Sequence, residues 1–309
     1  MSGFARDTRA LLVFNPKATA TTPRMRDVLT RALGSELKVD VAETTHQHHA
    51  TELAQQAAAN GIEYVVVLGG DGTVNEVVNG LVHSDTVLAI VPAGSGNVFA
   101  RALGMSASPI EATGEVIDAI RGDRRRTVNL GRADDRYFTF AAGLGVDAEI
   151  VHRVERQRHS GRQASPGRYF RTAVLHYVLG TDRRRAAVTL DVPGSEPVDG
   201  LFNGIVANGS PWTYFGERPV HATPGASFEG DLDLFALRRM TVTGGYRISR
   251  QFFMETEQIR SRSVLALHDV PEFTLRTDRP MAAQVDGDYI GERTSVTYRS
   301  VRQALTVVA

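Results

Sequence analysis

The chain contains no cysteine, a single tryptophan and only two lysines among its 35 basic residues. The lack of cysteine excludes disulfide frameworks, thiolate zinc sites and thiol nucleophiles at once, so any catalysis must use oxygen or nitrogen chemistry. Long hydrophobic runs are missing as well. The best of them, Tyr64 to Leu68 and Val87 to Val91, fall far short of the roughly 18 apolar residues that span a bilayer. Neither sign of charge is in excess: 35 basic and 35 acidic side chains cancel, which disfavours a nucleic-acid binder working through bulk positive charge. A signal-peptide pattern is absent too, because Met1 to Thr8 is polar and Leu11 to Phe14 is too short for an h-region, so a cytoplasmic protein is expected. What remains is ordinary globular usage, with 42% hydrophobic and 23% charged residues. At roughly 100 to 200 residues per domain, 309 residues suggest two domains.

The first 125 or so residues alternate short β-branched runs with helical patterns. Ala10 to Phe14, Lys38 to Val41, Tyr64 to Leu68 and Thr86 to Val91 read as strands, the last two apolar enough to be covered on both faces. Helices are expected near 24–33, 49–59, 73–82 and 97–103, and in the third Val74, Val77, Val78 and Leu81 recur at helical spacing. Repeated β-α-β predicts a parallel sheet. From about Thr127 the pattern turns to strands separated by Gly, Pro, Asp and Asn, which predicts an antiparallel β-sandwich. The expected fold class is therefore α/β, with an N-terminal Rossmann-like domain over 1–127 and a C-terminal β domain over 128–309. The extreme C-terminus is allowed to pack back on the first domain. One stretch breaks the β pattern: 153–185 is dense in arginine, with Arg183, Arg184 and Arg185 consecutive and aromatic residues interleaved. It reads as a solvated insertion with a helix near 168–179, or as a flap touching an anionic membrane.

The chemistry concentrates in VVVLGGDGTVNEVVNGL, from Val65 to Leu81. A buried strand runs into Gly69, Gly70 and Gly72, and a helix starts near Thr73. Residues without Cβ atoms let the backbone approach a ligand closely, and a helix N-terminus offers N–H groups and the positive end of a dipole. Those features suit a polyphosphate. Asp71 inside such a turn makes sense beside a metal ion or as the acceptor of a proton from an attacking hydroxyl. The segment lacks the third glycine of a dinucleotide fingerprint, and no P-loop occurs in the chain. Two further strand ends carry Asn15-Pro16-Lys17 and Pro92-Ala93-Gly94-Ser95-Gly96-Asn97, which in a parallel sheet lie at the same edge as the glycine turn.

Asn15-Pro16, the GGDGT turn with its Asn75-Glu76-Val77-Val78-Asn79-Gly80 continuation, and PAGSGNVFARALG from Pro92 to Gly104 together resemble the catalytic domain of the diacylglycerol kinase and sphingosine kinase family. The likeness continues through Asn129-Leu130-Gly131, Asn208-Gly209, Glu229-Gly230-Asp231-Leu232-Asp233 and Val285-Asp286-Gly287-Asp288, in the order of bacterial soluble lipid kinases. GGDGT alone would also admit NAD kinases, and the continuation favours lipid kinases.

The resemblance implies transfer of the γ-phosphate of ATP, with Mg²⁺, to a lipid hydroxyl, with the nucleotide between the two domains. Diacylglycerol, giving phosphatidic acid, is the first expected acceptor. A sphingoid base or another glycerolipid, then NAD, then a non-catalytic nucleotide- or lipid-binding regulator are the alternatives. It places Asn15, Lys17, Thr45, Gly69, Gly70, Gly72, Thr73, Glu76, Gly94, Ser95, Gly96 and Asn97 at the nucleotide. Asp71 and Asp288 are the candidate bases, and Glu292 is held in reserve because the usual Glu of the late motif is Asp288 here. Family members often carry Asp where this chain has Val98 and Asn129, so the metal network is thinner. Glu229 and Asp231 are candidate cation ligands, whereas His46, His48 and His49 read as solvated residues at a helix start. The expected partners are the lipid alcohol and the inner membrane surface, with no nucleic acid, and a homodimer is compatible with the sequence.

Overall fold

A computed structural model describes residues 8–18, 21–159, 185–254, 259 and 261–309. The helix expected near 168–179, and most of the arginine-rich stretch, lie outside the described residues. The chain divides into two compact units, Met1–Val128 with Gln303–Ala309, and Asn129–Arg302.

In the first unit β1 (Arg9–Phe14), β2 (Lys38–Glu43), β3 (Tyr64–Gly69) and β4 (Val87–Pro92) form a parallel sheet in the order β4-β3-β1-β2. The C-terminal end of β16 (Asp288–Val308) joins it, with Val307 opposite Leu88. Every residue of β3 and β4 is buried, as expected for strands covered on both faces. One face presents Leu12, Tyr64, Val66, Leu68, Ala89 and Val91 to Leu29 and Leu33 of α1 (Pro23–Gly34) and to Val116 and Ile120 of α5 (Pro109–Arg121). The alternate residues Val13, Val65, Val67, Leu88 and Ile90 face the other way, and α2 (His49–Ala59) and α3 (Asp71–Leu81) pack against β1, β3 and β4. α1 starts where Thr22 accepts the Met25 N–H and Pro23 occupies the first turn. The α5 helix was not expected, although Pro109 and the spacing of Ala112, Val116 and Ile120 signal it. α3 begins two residues before its expected start, at Asp71, which therefore stands in its first turn.

The second unit is antiparallel. Its strands are β6 (Arg136–Phe138), β7 (Ala141–Gly145), β8 (Val188–Asp191), β9 (Val198–Leu201), β10 (Asn203–Ala207), β13 (Leu232–Leu237), β14 (Val264–Val270) and β15 (Glu272–Val285), with most of β5 (Arg125–Ala133) and β16. β15 is a single strand of 14 residues. Its first half pairs with β8 and its second half with β7, with the register broken between Arg276 and Met281 around Pro280. A strand that changes partners in this way bends the sheet around one core, formed by Leu144, Leu190, Leu234, Phe273, Leu275 and Tyr298 among others. A second apolar cluster lies under α6 (Val146–His159), α7 (Val242–Phe252) and the hairpin of β11 (Thr213–Phe215) and β12 (Arg218–Val220).

Candidate active site

In the first unit the turns after β1, β3 and β4 meet at the carboxyl edge of the sheet. Gly70 and Gly94 touch backbone to backbone: a Cβ on Gly94 would lie 2.6 Å from the Gly70 Cα, so only glycine lets these two loops close. Gly69 is similarly hemmed in by the Thr73 side chain. The Asn15 amide donates to Thr73 Oγ1 at 3.2 Å, and its oxygen accepts the Lys17 N–H at 2.9 Å, tying the first turn to the start of α3. Asn97, held in the left-handed region with φ 50°, bonds both ways with Gly94, through Gly94 N–H to Oδ1 at 2.8 Å and Nδ2–H to the Gly94 carbonyl at 2.9 Å. Its amide thus shapes the loop. Ser95 at the apex is exposed.

Asp71 sits within this ring of turns. Phe99 N–H, in the first turn of α4 (Val98–Ala102), donates to its Oδ1 at 3.4 Å, and Oδ2 occupies room that a Cβ on Gly96 would invade at 2.8 Å. The motif residues from Gly69 to Thr73 and from Gly94 to Asn97 are therefore brought together around one carboxylate. Neither Phe99 nor the Gly70–Gly94 contact was anticipated, because both depend on a juxtaposition of segments about 25 residues apart in sequence.

Two expected nucleotide contacts have other duties. Glu76 caps α2: its Oε1 accepts the His48 N–H at 2.9 Å and its Oε2 the Ala50 N–H at 3.2 Å, so its carboxylate satisfies the helix start that left-handed His48 leaves open. Thr45 lies in the exposed turn before that helix, with Oγ1 2.9 Å from His46 Nδ1 and 3.2 Å from His49 Nδ1. The two histidine rings stack at 4.7 Å, as solvated helix-start residues can.

In the second unit the Asp286-Gly287 pair makes the β15–β16 hairpin, with φ 48° and 82° at consecutive positions and Val285 opposite Asp288. Asp286 turns inward. Its Oδ2 accepts Thr139 N–H and Oγ1–H at 2.7 and 2.8 Å, and its Oδ1 accepts Phe140 and Ala141 N–H at 3.1 and 3.2 Å. Burial raises its carboxyl above the usual aspartate range, while those donors pull it back down. Asp288 is partly exposed and pairs with Arg136 at 2.8 Å. Glu292 does not share that position: it is exposed four residues further along β16, a rise of roughly 13 Å in a regular strand.

Gln284 steadies the same hairpin by accepting the Gly287 N–H at 2.9 Å, and it donates to Asp147 Oδ2 at 2.8 Å. Asp147 is buried in the first turn of α6, and burial pushes its carboxyl up to about 6 from 3.8. Because the folded value is the higher one, the folded state holds this proton more tightly. The group's contribution to stability is fully present below about pH 4 and is lost as the pH rises through 6. A shift of this size corresponds to about 3 kcal/mol above that window. Asp147→Asn is therefore expected to raise the unfolding midpoint at pH 8 relative to the native chain, with the gain shrinking towards pH 4. Thermal scans at both pH values check this, and an equal gain at each would refute it.

The cation ligands expected at Glu229 and Asp231 are not gathered into a site. Asp231 is gripped by the Arg302 guanidinium at 2.6 and 3.0 Å, which holds its carboxyl below the usual range, and Glu229 is exposed. Asp233, the third acid of that run, accepts the Asp269 N–H at 3.0 Å and lies 2.8 Å from His268 Nδ1. Among the described residues no three or more His, Cys, Asp or Glu side chains are arranged to hold a metal ion.

A parallel α/β unit followed by an antiparallel unit is an architecture that this chain shares with solved structures of a diacylglycerol kinase and of an NAD kinase. A solved diacylglycerol kinase structure from Bacillus anthracis str. Sterne superposes with a TM-score of 0.73 at 19% identity, covering 97% of this chain and 96% of that one. An NAD kinase from Archaeoglobus fulgidus in complex with ATP gives a TM-score of 0.53 at 14% identity, over 97% and 93% of the two chains. These likenesses establish the fold. Residues 9–133 match the diacylglycerol kinase catalytic domain, so this part of the chain carries that family's catalytic domain. The diacylglycerol kinase of Bacillus subtilis (strain 168) is 32% identical over 150 residues, 47% of this chain and 48% of that protein. The chain thus spans about half the length of that curated relative.

Proposed function

We propose that the chain is an ATP-dependent lipid kinase whose first acceptor is diacylglycerol, yielding phosphatidic acid. The observation that carries this reading is the closure of the Gly69–Thr73 and Gly94–Asn97 turns around Asp71 at the edge of a diacylglycerol kinase catalytic domain. The backbone of both turns and the first N–H groups of α3 would receive the phosphates, and Lys17 supplies positive charge beside them. Asp71 would accept the proton of the lipid hydroxyl as its oxygen bonds to the γ-phosphorus and the bridging bond to the β-phosphate breaks, releasing ADP. One carboxylate beside a polyphosphate suits a Mg²⁺ ion that arrives on the nucleotide and offsets its charge, with Asp71 as the protein oxygen nearest to hand. Asp288 is the second candidate for a role at the acceptor hydroxyl.

Incubation with γ-labelled ATP, Mg²⁺ and diacylglycerol, sphingosine, phosphatidylglycerol or NAD tests the reading. Label is expected in phosphatidic acid. Label in NAD alone, or in no acceptor, would overturn it, and full activity of Asp288→Ala would remove Asp288 from the mechanism.

A further inference from the structure

Among the described residues of the second unit, the exposed large apolar side chains are confined to one place. Phe215, Tyr246, Phe253 and Met254 are 38, 66, 42 and 48% exposed, and they come from two neighbouring elements, the β11–β12 hairpin and α7 with its C-terminal turn. The Phe215 and Phe253 rings meet edge to face at 6.3 Å. The His221 N–H, just after the hairpin, donates to the Phe252 carbonyl at 2.7 Å, so hairpin and helix end are held as one piece.

The helix shows why these rings face outward. Ile248 is buried, and Phe252 packs edge to face on Phe235 at 5.4 Å and on Trp212 at 6.0 Å, so that side of α7 belongs to the core. Tyr246, Arg250 and Phe253 follow at i, i+4 and i+7 on the opposite side, with Arg247 beside them. The outward side of a solvated helix is ordinarily polar, whereas this one mixes aromatic rings with arginine. Arg247 and Arg250 are exposed and make no ion pair among the described residues. From 238 to 262 the sequence carries six arginines and two glutamates, in a chain of zero net charge.

We propose that this face docks on an anionic lipid bilayer, with Phe215, Tyr246, Phe253 and Met254 entering the interfacial layer and Arg247 and Arg250 at the level of the phosphates. The chemistry of both parts matches that boundary: aromatic rings partition into the headgroup region, and arginine beside them adds attraction to anionic lipid. No helix among the described residues is long and apolar enough to cross a membrane, so the contact is interfacial. The inference extends the lipid kinase reading, because an acceptor dissolved in a membrane must be met at its surface, but its test does not depend on catalysis.

The test is co-sedimentation of the full chain, without ATP or acceptor, with phosphatidylcholine vesicles and with vesicles containing roughly one-third phosphatidylglycerol. The single tryptophan, Trp212, lies against the inner side of the patch and gives an independent fluorescence signal of docking. Binding to the anionic vesicles is expected to exceed binding to phosphatidylcholine and to fall with salt. Arg247→Glu with Arg250→Glu should weaken it more than tenfold, given about fivefold for each basic residue near such a surface. Phe215→Ser with Phe253→Ser should weaken binding to both vesicle types, while circular dichroism and denaturation midpoints stay those of the native chain. Unchanged partitioning in both pairs of variants would overturn the proposal. So would variants that convert a dimer to a monomer by light scattering with vesicle binding intact, which would make the face a contact between copies. If the chain transfers phosphate to no acceptor yet binds vesicles through this face, the kinase reading fails and the docking surface stands.

Discussion

Asp71→Asn is expected to leave the chain folded while cutting phosphoryl transfer by roughly 10²- to 10⁴-fold, the range that removal of a positioned general base produces. The substitution keeps size and shape, and an asparagine oxygen can still accept the Phe99 N–H that holds Oδ1 at 3.4 Å. What is lost is a carboxylate able to take a proton and to face a metal-bound phosphate. Rates measured with diacylglycerol in mixed micelles, beside a denaturation curve, separate the two contributions. Activity within tenfold of native would show that the base lies elsewhere. Gly96→Ala is a geometric companion: its Cβ would come 2.8 Å from Asp71 Oδ2 and push the carboxylate aside without removing it, so activity should fall with the charge still present.

Asp286→Ala is expected to cost about 3 to 5 kcal/mol of stability, the scale for breaking a buried, fully bonded charged group. Three backbone N–H groups and the Thr139 hydroxyl converge on this carboxylate, and alanine leaves all four without their acceptor. The position also has φ 48°, which alanine adopts at a further cost. A unit of this size loses about 2 to 4 °C per kcal/mol, so the midpoint of the second unit should drop by roughly 6 to 20 °C. Asp286→Asn keeps the shape and tolerates the backbone, and is expected to lose less than half as much. Equal losses in the two variants would mean that the hydrogen bonds are not what stabilises the hairpin.

An Asp-Gly pair favours a tight hairpin, and the Asp286-Gly287 turn is there, but the inward carboxylate is not legible in the sequence. An Asp-Gly pair encodes local φ values, whereas the donors at 139–141 are remote in the chain. Glu76 shows the same limit in the opposite direction. Its place in the motif suggested the nucleotide, and only the packing of α2 against α3 reveals that it caps a neighbouring helix. For Glu229 and Asp231 three acids in five residues suggested a cation, and what the sequence does not show is that Arg302, 71 residues beyond Asp231, grips the Asp231 carboxylate.

By itself the sequence determined the parallel sheet, the switch to an antiparallel second half and the glycine turns at the strand ends. These follow from period, from β-branched composition and from residues that lack a Cβ, all of them short-range properties. Tertiary structure alone decided which polar side chains are tied into the scaffold. It closed Gly70 on Gly94, set Phe99 beneath Asp71 and turned the aromatic side of α7 outward. Such choices rest on contacts between segments far apart in sequence, and the energy of a buried carboxylate or an exposed ring depends on what the fold brings beside it.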